Sequence, residues 1–307
     1  MPAERSTNHV SGGLEVVELV KNFDGVTALD GLSLQVEPGT VFGLLGPNGA
    51  GKTTTIRIII GILGADRGQV LYQGHPISRL QSRRFGYLPE ERGLYPKTRL
   101  RETLIYLAQL KGLEQRDAAT RVDHYLDRFD LAAYAHRNVR ALSRGNQQKA
   151  QFIAAIVHHP SVVILDEPFT GLDPVNQIML KEIIGELCSK GTTVLLSTHQ
   201  MDQVERICDA ICLIDAGRTI IAGPLDEIKA SHTEPTLEVT FEGDLPEGLD
   251  RWVKVLETHN CTIIGHARRE LPATLEGLVA LGPVIQFKMR EATLEDIFIE
   301  VVRECRQ

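Results

Sequence analysis

One glycine-rich run constrains this chain more than any other segment: Gly46-Pro47-Asn48-Gly49-Ala50-Gly51-Lys52-Thr53. It fits G-x-x-x-x-G-K-[ST], follows an apolar strand pattern at 41–46 and opens a helical pattern, the context its chemistry requires. The glycines let backbone N–H groups turn inward around phosphate oxygens, where a Cβ would obstruct them. The helix N-terminus adds positive potential. Lys52 is placed to reach the β- and γ-phosphates, Thr53 to offer a hydroxyl to Mg²⁺, and Thr54 joins the phosphate-binding set. A chain that carries this unit is committed to a strand–turn–helix fold and to a nucleotide.

The surrounding patterns agree with that commitment. Segments 14–23 and 32–36 read as strands joined by a glycine-containing turn. Extended patterns return at 69–74 and 85–89, and helical spacing fills 101–135. Helices are expected at about 147–157, 174–189 and from about Gln200, with strands at 162–166 and 193–197 and a hairpin over 211–215 and 218–223. Alternation of this kind implies an α/β fold, a mainly parallel sheet flanked by helices, with an antiparallel N-terminal portion. Composition shifts at the polar stretch 231–235, and beyond it the patterns alternate β-α-β-α-β-α, including a helical stretch around Trp252. The expected organisation is a domain over 14–230, with a helical subdomain at about 90–145, and a small accessory domain over 236–307. Residues 1–13 lack the apolar segment of a secretory signal and are expected to form a frayed tail.

Bulk composition narrows the function. The 307 residues, 43% of them apolar, are enough for two domains with a sizeable core. A net charge of −7 argues against a nucleic-acid partner, whose phosphates need a positive surface. The five cysteines, Cys188, Cys208, Cys212, Cys261 and Cys305, show neither zinc spacing nor a disulfide framework and read as small core residues. No apolar run approaches the roughly 18 residues that cross a bilayer.

Two further segments carry chemistry. An apolar strand, Val162-Val163-Ile164-Leu165, ends in Asp166-Glu167. Asp166 can hold Mg²⁺, and Glu167 points elsewhere because side chains alternate along a strand, which frees it to address an attacking water. Leu142-Ser143-Arg144-Gly145-Asn146-Gln147-Gln148 places a serine and a glycine just before a helix, where Ser143 or Asn146 fits an N-cap.

Taken in order, GPNGAGKT, YLPEERG, LSRGNQQ, VVILDEP, GLD and STH closely resemble the ATP-binding cassette of ABC transporters over roughly residues 14 to 230. The resemblance implies a P-loop NTPase of the ABC type with a small α+β C-terminal domain, hydrolysing ATP with Mg²⁺. It implies that Ser143 and Gly145 contact the γ-phosphate held by a second ATP-binding subunit, that Asp173 crosses the interface, and that His199 hydrogen-bonds the γ-phosphate. Phe23 takes the aromatic position that stacks on adenine. Two subunits, here a homodimer, then sandwich two ATPs head to tail and power separate integral membrane permease subunits from the cytoplasmic side of the membrane. The segment YLPEERGLYP and the C-terminal TLEDIFIEVV are similar to sodium- and drug-export ATPases, which points to export. Tyr87, Leu94 and Tyr95 are candidates for the groove that receives the permease.

The chain departs from the family pattern at the signature, where Arg144 and Asn146 replace the usual residues while Ser143 and Gly145 are kept. It departs again at Glu90, where the family has a glutamine near the metal and the water; Glu90 is counted here among the metal residues. The alternative reading is a soluble ABC-type ATPase acting on a non-transport partner. Ribosome-acting members carry two cassettes, and DNA-repair members a long coiled coil. Here there is room for one cassette, and about ninety residues separate Thr53 from Ser143.

Overall fold

The computed structural model describes residues 13–77, 81–91, 93–231, 236–290 and 293–305. The expected tail therefore lies outside the described residues, apart from Gly13, as does most of the polar stretch 231–235. The chain divides into two compact units, Met1–Leu225 and Asp226–Gln307.

In the first unit, β1 (Leu14–Phe23) and β2 (Val26–Val36) form a long antiparallel pair in register from Leu14↔Val36 to Phe23↔Val26. The turn is Asp24-Gly25, both with positive φ. β2 thus starts well before the expected 32–36, because pairing along all of β1 carries the strand through Asp30-Gly31. β4 (Arg67–Tyr72) pairs with β1, and the short β5 (His75–Pro76) with β4, which gives the order β2-β1-β4-β5.

The second sheet of this unit holds β3 (Val41–Leu45), β6 (Phe85–Leu88), β7 (Val162–Asp166), β8 (Thr193–Thr198), β9 (Ala210–Asp215) and β10 (Arg218–Pro224) in the order β10-β9-β3-β8-β7-β6. Its ladders are parallel except β9–β10, a hairpin through Ala216-Gly217. Every residue of β3, β7 and β8 is buried, as expected of central parallel strands covered on both faces. α1 (Lys52–Ile59) packs Ile56 and Ile59, both fully buried, into the core shared with β1, β2 and β3. Each such side chain contributes ~1.5–3 kcal/mol by leaving water.

The helical region comprises α2 (Leu100–Leu110), α3 (Gln115–Arg128) and α4 (Arg144–Ile156), joined through rings such as Phe129 and Phe152 at 5.8 Å. α4 begins three residues earlier than the expected 147. Ser143 caps it, its Oγ accepting from Asn146 N at 3.3 Å, so the signature residues form the helix's first turn rather than a preceding loop. α5 (Pro174–Ser189) is capped by Asp173 with Pro174 in its first turn, and α6 (Met201–Glu205) is short. α7 (Leu225–Ser231) spans the division between the units.

The second unit is α+β. β11 (Thr236–Phe241), β12 (Val253–His259), β13 (Thr262–Ala267) and β14 (Val284–Arg290) form one antiparallel sheet, ordered β12-β13-β11-β14, with α8 (Leu271–Leu281) and α9 (Leu294–Cys305). Here the expected β-α-β-α-β-α alternation is corrected. Only a single 3₁₀ turn, Leu249–Arg251, precedes Trp252, and the chain then enters β12. The reason is the tight turn at Asn260, whose φ of 49° lets Val253–His259 fold back on β13 and bury Val253. Leu237, Val239, Phe241, Ile263 and Leu278 complete that core.

Candidate active site

β3 hands the chain to α1 through a loop that only glycine satisfies at its two ends. Gly46 has φ 150° and a Cβ there would stand 2.2 Å from Ile214 O; Gly51 has φ 109° and its Cβ would stand 2.8 Å from Ala28 O. Loop backbone is therefore pressed against β9 on one side and β2 on the other. Lys52 opens α1 and is buried, with Nζ donating to Gly46 O at 2.7 Å and to Pro47 O at 3.1 Å. Burial pulls its ammonium below the usual lysine range, against the carboxylates of Glu167, Asp166 and Glu90.

β7 and β8 supply the acids together with the groups that hold them. Their parallel register sets Asp166 beside Ser197, and the Ser197 hydroxyl donates to Asp166 Oδ1. Asp166 is 2% exposed, yet its Oδ2 has no hydrogen-bond partner among the described residues. Burial pushes its carboxyl above the usual range, with the Ser197 hydrogen bond opposing. Glu167 follows with φ 50°, a left-handed backbone that costs roughly 1–2 kcal/mol in a non-glycine residue. That twist turns its side chain toward the end of β8. Oε1 accepts from His199 N at 3.1 Å and His199 Nδ1 at 2.7 Å, and Oε2 accepts from Thr198 Oγ1 at 3.1 Å. A left-handed backbone and three donors together fix the orientation of this carboxylate.

These groups share one cavity of about 440 Å³. Asn48, Gly49, Gly51, Lys52, Thr53 and Thr54 line it from the loop and α1, and Glu90, Asp166, Glu167 and His199 line it from the strand ends. Gly46 and Pro47 take part through the carbonyls that hold Lys52, and Ala50 through a buried methyl in the core. Four expected residues stand apart from this wall. Phe23 ends β1, 43% exposed, with Lys21 Nζ 5.4 Å from its ring centroid. Ser143, Gly145 and Asp173 form a second cluster: a Cβ on Gly145 would lie 3.5 Å from Gly171 O, two residues before Asp173. Gln148 Nε2 ties that cluster to the loop after Glu167 by donating to Pro168 O at 3.2 Å. Tyr87 and Leu94 line a separate apolar cavity of about 300 Å³, whereas Tyr95 lies outside its lining and is 54% exposed.

Sequence reasoning passed over Ser197 and Thr198, which hold the two acids. Both lie in the Ser-Thr-His run that supplied His199, but only the β7–β8 register shows what their hydroxyls face.

Residues 29–170 match the ABC transporter family model, and residues 223–302 match the C-terminal domain of DrrA1-3-like ATP-binding proteins. An ABC transporter ATP-binding protein of Bacillus subtilis, YhaQ, is 41% identical over 295 residues, covering 94% of this chain and 98% of the relative. The chain belongs to the ATP-binding proteins of ABC transporters.

This ABC protein is also 33% identical to the Nod factor export ATP-binding protein I of Paraburkholderia xenovorans, over 94% of its own length and 96% of the relative's. Among solved structures, an ABC transporter ATP-binding subunit superposes with a TM-score of 0.67 at 34% identity, over 71% of this chain and 92% of that one. CbiO1 of Clostridium perfringens, part of the complex cbiONQ, superposes at 0.63 with 30% identity, over 72% of this chain and 91% of its own. Members of the family bind ATP, act as ATPases and work with membrane permease subunits. Among the described residues no helix of this ABC protein is long and apolar enough to cross a membrane.

Proposed function

We propose that this chain hydrolyses ATP in a pair of copies and drives export of a solute through separate membrane permease subunits, from the cytoplasmic face of the membrane. The observation that carries the reading is Glu167, held by three hydrogen bonds and lining the same cavity as Lys52. Lys52 and the loop amides bind the terminal phosphates. Glu167 accepts a proton from water as the water oxygen's electron pair forms the new bond to the γ-phosphorus, and the bond to the β–γ bridging oxygen breaks. His199 keeps Glu167 oriented and presents its ring, half exposed, to the γ-phosphate. Mg²⁺ fits the oxygen-only donor set of Thr53, Asp166 and Glu90, and the unpartnered Asp166 Oδ2 is the atom that such an ion would satisfy. When bound, the ion supplies neutralisation of phosphate charge.

The second cluster gives the pairing its chemistry. Ser143 and Gly145 address the γ-phosphate of the other copy, Asp173 crosses between the copies, and Phe23 stacks on adenine. The cavity lined by Tyr87 and Leu94 is the proposed seat for a permease helix. Export is favoured by the match of residues 223–302 to the DrrA1-3-like C-terminal domain and by the Nod factor export relatives. In purified protein, Glu167→Gln is expected to bind ATP, to lose at least about a hundredfold in turnover and to accumulate as an ATP-bound dimer on size exclusion. Wild-type turnover in that variant refutes the assignment of the base. Co-purification of a multi-helix membrane protein encoded beside the gene tests the transport half of the reading.

A further inference from the structure

The apolar cavity lined by Tyr87, Leu94, Leu107 and Leu110 also carries two polar groups that apolar packing does not explain. Gln151, on α4 and 4% exposed, lines it, as does His158, seven residues on and just past the end of that helix. Each of these side chains is half satisfied. Gln151 Nε2 donates to Glu91 O at 3.1 Å, while Oε1, buried, has no hydrogen-bond partner among the described residues. His158 Nε2 lies 3.3 Å from Phe85 O, while Nδ1, also buried, has no partner among them. A carbonyl oxygen only accepts, so Nε2 carries the ring proton. Burial, then the Lys111 charge, pull the ring below the ordinary histidine range, which leaves no second proton for Nδ1. Both open atoms are therefore acceptors. A buried acceptor without a donor costs free energy, and a bound group that donates to it recovers that cost.

The local charge narrows what can donate. Lys111 lines the same cavity, and its Nζ donates to the same Phe85 O at 2.9 Å. A second ammonium or a guanidinium would be desolvated against that charge, and a carboxylate would set its oxygens against two acceptors. The group that fits is uncharged, on an apolar body, as in the indole N–H of tryptophan or the hydroxyl of tyrosine. Leu110, 57% exposed, leaves apolar surface at this cavity for such a body to cover. We infer that Gln151 and His158 select what docks here by requiring an uncharged hydrogen-bond donor, and that the occupant is a permease segment presenting a tryptophan or tyrosine. The choice of occupant rests on the permease reading given above and adds to it the chemistry of the docking segment.

Two arms test this, both on the full chain. In the first, indole and N-methylindole, which differ only in the N–H, are titrated while the His158 ring nitrogens are followed by NMR. Indole should shift Nδ1 saturably, and N-methylindole should bind at least about tenfold more weakly. In the second, the membrane subunit encoded beside the gene is purified and its affinity for the chain measured. Gln151→Met and His158→Phe should each weaken it at least about tenfold. His158→Asn, whose amide oxygen reaches the place of Nδ1, should restore most of it. Equal binding of the two indoles, which needs no variant to fold, overturns the inference. If the membrane subunit binds wild type and both weakened variants alike, the donor requirement falls and the transport reading stands. If indole is selected but the membrane subunit leaves the His158 ring unperturbed, docking in this cavity falls and the donor requirement stands.

Discussion

Thr198 offers a sharp test of how Glu167, the proposed general base, is held. Its hydroxyl donates to Glu167 Oε2 at 3.1 Å and accepts from Gln200 N at 3.1 Å, and the residue is 1% exposed. Thr198→Val keeps shape and burial and removes only the hydroxyl. A hydrogen bond to a charged group contributes about 1.5–3 kcal/mol, and the lost acceptor for Gln200 N adds about 1. The two together predict a loss of roughly 2.5–4 kcal/mol in stability, which lowers the melting midpoint by roughly 5–16 °C for a unit of this size. Catalysis reads the first of these bonds alone. With one of its three donors gone, Glu167 samples orientations that do not face the water, and kcat should fall about ten- to a hundredfold, or ~1.4–2.7 kcal/mol in the barrier. KM for ATP should hold, because Lys52 and the loop amides are untouched. Thr198→Ser, which retains the hydroxyl, should recover most of kcat. The assay is steady-state phosphate release with calorimetry on the same preparations. A stability loss with kcat unchanged would show that Thr198 only packs, and would refute the positioning argument.

Two further outcomes follow from the structure. His158 lies beside the cavity lined by Tyr87, and burial first, then the Lys111 charge, pulls its pKa to about 4 from 6.5. The unfolded chain therefore binds the extra proton in that window, so stability is complete above pH 6.5 and falls as pH drops toward 4, by up to ~3 kcal/mol. Denaturant unfolding across that range should show the slope in wild type and a flatter profile in His158→Gln; equal slopes would contradict the assignment. In the second unit, a Cβ on Gly277 would stand 2.3 Å from the Trp252 ring, which packs against that unit's core and has the Arg269 guanidinium 4.6 Å from its centroid. Gly277→Ala should destabilise that unit by about 1–3 kcal/mol through overpacking. The chain's single tryptophan reports it directly by fluorescence, and an unshifted transition would argue that the ring moves freely.

Local signals determined a large part of this protein. The loop 46–53 needs no partner from far along the chain to show its purpose, because its glycines and its following helix make the phosphate cradle within a few residues. The strands 162–166 and 193–197 were legible from their short apolar runs, Val162–Leu165 and Val194–Leu196, and Asp166-Glu167 as acids at a strand end. Where the reading failed, a distant partner decided the conformation. β2 runs on through Asp30-Gly31 because β1 pairs with its whole length, and Val253–His259 is a strand because β13 turns back on it. Helix-like composition around Trp252 could not compete with that pairing, since strand stability comes from cross-strand neighbours.

The site divides along the same line. Sequence named Lys52, Asp166, Glu167 and His199 and left them as separate points. Tertiary structure decided what each one touches: the β7–β8 register brings Ser197 to Asp166, the left-handed backbone at Glu167 swings its carboxylate to Thr198 and His199, and Glu90 enters the cavity from the end of β6. Residue types announce chemistry locally, but hydrogen-bond partners and local fields depend on distances between elements far apart in sequence. Those distances exist only once the sheet is assembled.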